Sequence, residues 1–319
     1  MITTVVYLYK LDLNTKKLVL NLSSRSKINL PKLPYPILNT SITLFENHFA
    51  AVARVSNAGF EENSDFFGRP MQLYLQEGSK LQNGIIKFDL LLDGTISNLE
   101  FIHNISEIPN YEDPRIFVYN GMEFIVMTKV KSPVGESTSP WKSSVVLESI
   151  STGQITILPS PYSKGIEKNW VPVDIDNSLT LLYGSNPIVM IKLDEKQLTH
   201  EFVFTKNRSQ LILNNRTQVI KTDHPKIPYI RVASKKYAKR KFGYTPLHYF
   251  EILSKNLQPL GLSKPFIFSS RKQEYCQGIA FKDSVIFLSW SEQEKHNFIG
   301  SIELDEVIKL FPKEMNLNT

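Results

Sequence analysis

Asp113 sits inside the tetrapeptide Glu112-Asp113-Pro114-Arg115, directly ahead of the apolar run "IFVYNGMEFIVMT". A carboxyl that holds a proton can deliver it to an oxygen as that oxygen leaves carbon, so Asp113 is the candidate general acid. Glu112 would raise its pKa by like-charge repulsion, and Arg115 would lower it. The structural alternative is a strand-end cap in which Glu112 pairs with Arg115.

Three cations could serve such an acid. Arg54 ends the apolar stretch "HFAAVARV" and must find an anion there, because burying a guanidinium unpaired is expensive. Its partner would be a carboxylate such as Glu112 or a bound phosphate. Lys168 in "EKNW" could pair with Glu167 at the surface or act as an anion clamp. Together Arg54, Arg115 and Lys168 would make a subsite able to hold phosphate or a pyrophosphate leaving group. In the same motif Asn169 could bond a hydroxyl, and Trp170 offers either a flat face to a ring or core volume.

His248 and Tyr249 in "TPLHYFE" are substrate-binding candidates, against the commoner role of a satisfied core histidine. Glu274, opening "EYCQGI", is a possible second carboxylate. Cys276, the single cysteine, lies between apolar residues without a nearby histidine and reads as a packing residue; one thiol excludes an internal disulfide. No phosphate-cradling glycine loop, GxGxxG, CxxC pair or HExxH is present, so no metal and no resident cofactor is implied.

These residues need elements to hold them, and the sequence supplies strands. The 319 residues are 42% hydrophobic and 21% charged, ordinary globular composition, with a net charge of +6. That modest basic excess suits a phosphate-bearing partner. Part of it is the run "KKYAKRKF" (235–242), read as a rim or lid loop, since no nucleic-acid-binding pattern surrounds it. The chain carries no secretory leader and no apolar run of membrane-spanning length, which predicts a soluble, cytoplasmic protein.

Helical periodicity is confined to 304–315, where Asp305 would cap a short C-terminal helix ended by Pro312. Elsewhere, pairs of apolar runs flank polar turns at 41–56, 116–128, 170–184 and 279–291, the signature of hairpins. A polar cluster precedes each unit: "LNTS" (38–41), "YEDPR" (111–115), "EKNW" (167–170), "FGYTP" (242–246) and "EYCQG" (274–278). Five such units predict one domain over 1–319, an all-β, five-bladed β-propeller. Each cluster would open an inner strand and point at a central axial pocket. Residues 3–10 would pair beside 297–304 and close the ring, removing exposed edges.

"YEDPRIF", "EKNWVP" and the closing "EYCQGIAFKDSVIFLSWSEQEKH" together resemble the five-bladed propellers of glycoside hydrolase family 130, which comprises β-mannoside phosphorylases and hydrolases with related mannosyltransferases beside them. "LNTSITLFENHFAAVARVS" is similar to that family's first blade, with Asn39 at its start but no proline after it, and "YTPLHYFEIL" is similar to its fourth. Glu294 stands near the place where the family pattern carries an aspartate. The resemblance implies an inverting reaction on a glycoside, with Asp113 giving its proton directly or through a sugar hydroxyl. It adds Asn39 and Glu294 to the candidate binding residues. The implied partner is an oligosaccharide or glycan; inorganic phosphate, a sugar phosphate or a nucleotide sugar is the possible co-substrate. Phosphorolysis, hydrolysis and transfer all fit the pattern, and so does a propeller that binds glycan without turnover.

Overall fold

A computed structural model describes residues 18–33, 35–60, 73–75, 82–105, 110–131, 142–160, 169–175, 178–185, 188–193, 200–205, 213–239, 243–269, 274–292, 296–315 and 317. The strands form five antiparallel blades around one axis. The first blade runs from Ile37–Phe45, its inner strand, through His48–Ser56 and Asn83–Leu90 to Ile96–His103. Asn110–Tyr119, Met122–Lys131, Lys142–Ser149 and Ile155–Ile157 make the second. The third comprises Val171–Ile175, Ser178–Ser185, Ile188–Leu193 and His200–Thr205.

All four hairpins read from the sequence are present, with tight turns such as Asn120–Gly121, where both residues have positive φ. The fourth blade departs from expectation. Its inner strand is not opened by the 242–246 cluster; it is the broken segment Asn214–Asn215 and Ile220–Lys221, which pairs with Tyr229–Lys239. Gly243–Leu253 is the third strand, paired over its whole length with Tyr229–Lys239. Lys235 to Lys239 are therefore strand rather than loop, and residues 240–242 lie outside the described residues.

The fifth blade comprises Glu274–Lys282, Val285–Glu292 and His296–Glu303, completed from the other end of the chain. The strand that completes it is Ser24–Lys27, with Ser24 opposite Ser301 and Lys27 opposite Phe298. Residues 3–10, expected in that place, lie outside the described residues. Ser24–Lys27 suits the outer edge because its side chains alternate between exposed and half-buried. Arg25 fastens it, bonding Glu292 at 2.6 Å and lying 4.5 Å from the Phe298 ring centroid. Upstream, Leu18–Val19 pairs in parallel with Phe266–Ile267, so the N-terminal segment also edges the fourth blade.

Both faces of each inner and second strand are covered by neighbouring blades, which explains their near-continuous apolar runs. A separate apolar cluster fills each gap between blades. Phe49 meets Phe287 between the first and fifth, Ile85 and Ile125 share the cluster between first and second, and Phe117 and Trp170 share that between second and third. Val173 packs with Val219 between third and fourth, and Phe250 joins Trp290 between fourth and fifth. The C-terminal helix spans Leu304–Ile308. Its N-cap is Glu303 rather than Asp305, because the chain turns directly from the last strand to bury Leu304; Asp305 lies in the first turn, where its charge favours the helix dipole.

Candidate active site

The inner strands run in one direction, so their N-terminal ends share one mouth of the axial channel. At that mouth three polar residues adopt left-handed backbone: Asn39 (φ 55°), Asp113 (φ 50°) and Asn169 (φ 64°). Two of them coincide with breaks in pairing. Leu38 faces Arg54 and Ser41 faces Val52, so Asn39 and Thr40 together oppose one residue. Glu112 faces Thr128 and Arg115 faces Val126, so Asp113 and Pro114 do the same. In the fifth blade a third break falls at Gln277, between Cys276 and Gly278. Such bulges re-aim a side chain out of the pleat. A left-handed residue directly before proline costs on the order of 1–3 kcal/mol, and such strain persists only where surrounding contacts over-determine it.

Those contacts form a circuit through all five blades. Ser291 of the fifth blade donates to Asn39 Oδ1 at 3.0 Å, and Asn39 Nδ2 donates to Asp113 Oδ1 at 3.3 Å. Arg115 then binds three carbonyl oxygens: Asp113 O at 3.1 Å, Asn169 Oδ1 at 3.2 Å and Arg216 O at 3.1 Å. Arg216 donates from Nε to Ser234 at 2.5 Å, and its guanidinium lies 4.9 Å from the Tyr275 ring centroid, which returns the circuit to the fifth blade. Asn297 reinforces the seam between fifth and first blades by accepting from Thr40 and donating to Ile37 O.

Arg54 approaches both acids, with Nη1 3.8 Å from Glu112 and 4.0 Å from Asp113. These three side chains keep partial exposure at 13%, 21% and 20%, enough to meet a solute. The structure thus brings Asn39, Arg54, Glu112, Asp113, Arg115 and Asn169 together.

Arg115 plays a different part from the one its charge suggests. It is wholly buried, and burial pulls its pKa down to about 10, opposed by Asp113 and reinforced by Arg216. Its donors are committed to the protein, which makes it a brace for the mouth rather than an open anion clamp. Lys168 and Glu294 lie outside the described residues.

Three other candidates belong to the gaps between blades. His248 is buried between Phe266 and Phe268, accepts from the Cys276 N–H at 3.4 Å, and is held neutral by burial at a pKa of about 3. Trp170 is 1% exposed and packs edge-on against Tyr183. Glu274 points away from the axis and accepts from the Phe268 and Ser269 backbone N–H groups. Burial raises its pKa to about 7. The Cys276 thiol is fully buried, and burial pushes its pKa up. Among the described residues no group of three His, Cys, Asp or Glu is placed to hold a metal ion, and no helix is long and apolar enough to cross a membrane.

Sequence reasoning missed Arg216, Tyr275, Ser291 and Asn297. Arg216 lies in "NNRTQVIK", too polar and too broken to register as a strand; its signal was a lone arginine ahead of a short alternating stretch. Also missed was Gln218, whose Nε2 donates to Ile42 O at 2.6 Å and Ile279 O at 2.7 Å, tying three inner strands together. Beyond it, at the opposite mouth, lies a cavity of about 300 Å³ bordered by Thr43, Phe117, Tyr119, Val219, Lys221 and Phe281.

No protein-family model matches the sequence, and no curated protein matches it. Solved structures do. One represents the GH130 family of mannoside phosphorylases, with glycoside hydrolases that target β-1,2-mannosidic linkages in Candida mannan; it aligns at a TM-score of 0.56 and 11% identity, covering 91% of this chain and 97% of the other. The β-1,2-mannobiose phosphorylase of Listeria innocua aligns at 0.59 and 9% identity, over 90% and 96%. The fold is that of the GH130 propellers. The same architecture appears in MPT-1, a GDP-Man-dependent mannosyltransferase from Leishmania mexicana, at a TM-score of 0.52 and 9% identity over 89% and 90%.

Proposed function

We propose that the chain is a carbohydrate-active enzyme that makes or breaks a glycosidic bond of a β-mannoside at the polar mouth, with Asp113 as general acid. The observation that carries this reading is the bulged, left-handed Asp113, held by Asn39 and approached by Arg54. In phosphorolysis, an oxygen of inorganic phosphate forms a bond to the anomeric carbon from the face opposite the leaving group. The carbon–oxygen bond to the leaving sugar breaks as the Asp113 proton passes to that oxygen, and configuration inverts. Arg54 and Lys168 would hold the phosphate, Asn39 and Asn169 would orient the sugar, and Arg115 would fix the mouth's shape.

The fate of Glu274 removes one of the carboxylates that could serve hydrolysis. An inverting hydrolase needs a second carboxylate to activate water, and Glu274 is occupied with backbone N–H groups. Transfer from a nucleotide sugar is the second reading, supported by the mannosyltransferase that shares the fold.

Incubating the protein with mannose-1-phosphate or GDP-mannose and a panel of mannoside acceptors separates these chemistries. Released phosphate identifies a phosphorylase running in reverse, released GDP identifies a transferase, and free mannose alone identifies a hydrolase. Asp113→Asn should abolish whichever is seen. A protein that binds mannosides yet turns over none of these donors would be a glycan-binding propeller instead.

A further inference from the structure

We propose that the opposite mouth is a second binding site, for a small anion built on a single apolar ring. The cavity there, about 300 Å³, is bordered by the ends of all five inner strands and so is formed by the fold itself. That volume is at the small end of the range for ligand pockets. Its walls mix polar surface with apolar and aromatic surface, the latter from Phe117, Tyr119, Val219 and Phe281. Single-ring bodies pack against such walls edge-on or offset-stacked.

Two polar features fix the rest of the ligand. Lys221 stands exposed at the rim and forms no ion pair or hydrogen bond among the described residues, so the cavity's one lysine awaits an anion. At the inner end Gln218 uses its amide nitrogen on two backbone carbonyls, while its Oε1 is buried without a donor. A buried acceptor left unmatched is unfavourable, and a small turn of the Gln218 side chain, which borders the cavity, would bring Oε1 to a ligand hydroxyl that completes it. An aryl carboxylate with a hydroxyl opposite the acid group matches all three features. The cavity's lining includes none of Asn39, Arg54, Asp113 or Arg115, so the site stands independently of the proposed function.

The test is a calorimetric titration with 4-hydroxybenzoate as probe, against wild type, Lys221→Glu and Asp113→Asn. Lys221 is exposed, so its substitution leaves folding intact. The expected result is saturable binding that Lys221→Glu weakens at least about fivefold, the loss of a partly exposed ion pair, and that Asp113→Asn leaves unchanged. Absence of saturable binding, indifference to Lys221→Glu, or loss of binding in Asp113→Asn would each overturn the assignment. Loss in Asp113→Asn alone would relocate the probe to the polar mouth without touching the catalytic proposal.

Discussion

The two mouths of the channel are made by the same five strands and differ in nearly everything else. At one end the pairing is broken by bulges, three residues are left-handed, and a polar circuit runs from blade to blade. At the other the inner strands end in apolar and aromatic side chains around a cavity, with one lysine at its rim. Between them Gln218 joins three strands. A propeller's inner strands lack a sheet partner on the axial side, so their carbonyls must be satisfied by side chains or solvent. The polar mouth meets that need with Arg115, and the midpoint with Gln218. The contrast teaches that irregular backbone is concentrated where chemistry needs a carboxylate presented out of the pleat, while the regular end is left to packing.

The most severe way to break the comparison is Asp113→Asn. If the polar mouth alone holds the acid, turnover should fall by about 10²–10⁴-fold, the usual contribution of a positioned general acid. Thermal stability should change little, because the amide keeps an oxygen for Asn39. A variant as active as wild type would remove the acid from this end of the molecule.

Arg115→Met comes next. It strips one buried donor from three acceptors on three blades and should cost about 3 kcal/mol in urea denaturation, since hydrogen bonds to charged groups are the costly ones to lose. Gln218→Leu removes two neutral bonds at the midpoint and should cost about 2 kcal/mol. The informative outcome is their split in activity. Loss of Arg115 frees Asp113 and Asn169 from their brace and should lower turnover beyond its effect on stability, whereas Gln218→Leu should leave turnover intact. Equal damage to activity from both would mean that the midpoint and the polar mouth are one unit.

Much of this was legible in the sequence. The four apolar hairpins and the existence of a short terminal helix came from local chemistry: strand alternation, turn residues and helical periodicity. That helix ends at Ile308 rather than at Pro312, and the 242–246 cluster opens no inner strand. Asp113 stood out because two acids and an arginine beside an apolar run demand an explanation. The rest depended on long-range partners. The fourth inner strand escaped because two-residue pieces interrupted by Arg216, Thr217 and Gln218 have no alternation to read. The closing strand was misplaced because Ser24–Lys27 is polar and pairs with residues 298–301, a registry that no local pattern encodes. Glu274 and His248 lie in polar-looking motifs, yet the blade twist turns both side chains into the gap between fourth and fifth blades.

The last expected effect concerns that buried carboxylate. Glu274 starts an inner strand at the polar mouth, so its position alone would suggest a partner for Asp113. Its environment says otherwise: 1% exposed, bonded to two backbone N–H groups, and facing Glu292 across the hairpin. Burial, with a smaller push from Glu292, outweighs the hydrogen bonds and lifts its pKa from 4.5 to about 7. The sign of the effect on stability follows. Between about pH 4.5 and 7 the folded protein holds a proton that the unfolded chain has released, so the contribution is full below that window and is lost as pH rises through it. The loss is on the order of 2–3 kcal/mol. Glu274→Gln cannot titrate, so it should differ from wild type by a constant below the window and gain relative stability as pH climbs toward neutrality. Parallel stability curves from pH 4 to 8 would show that Glu274 is already ionised in the folded state, reopening its candidacy as a base at the polar mouth.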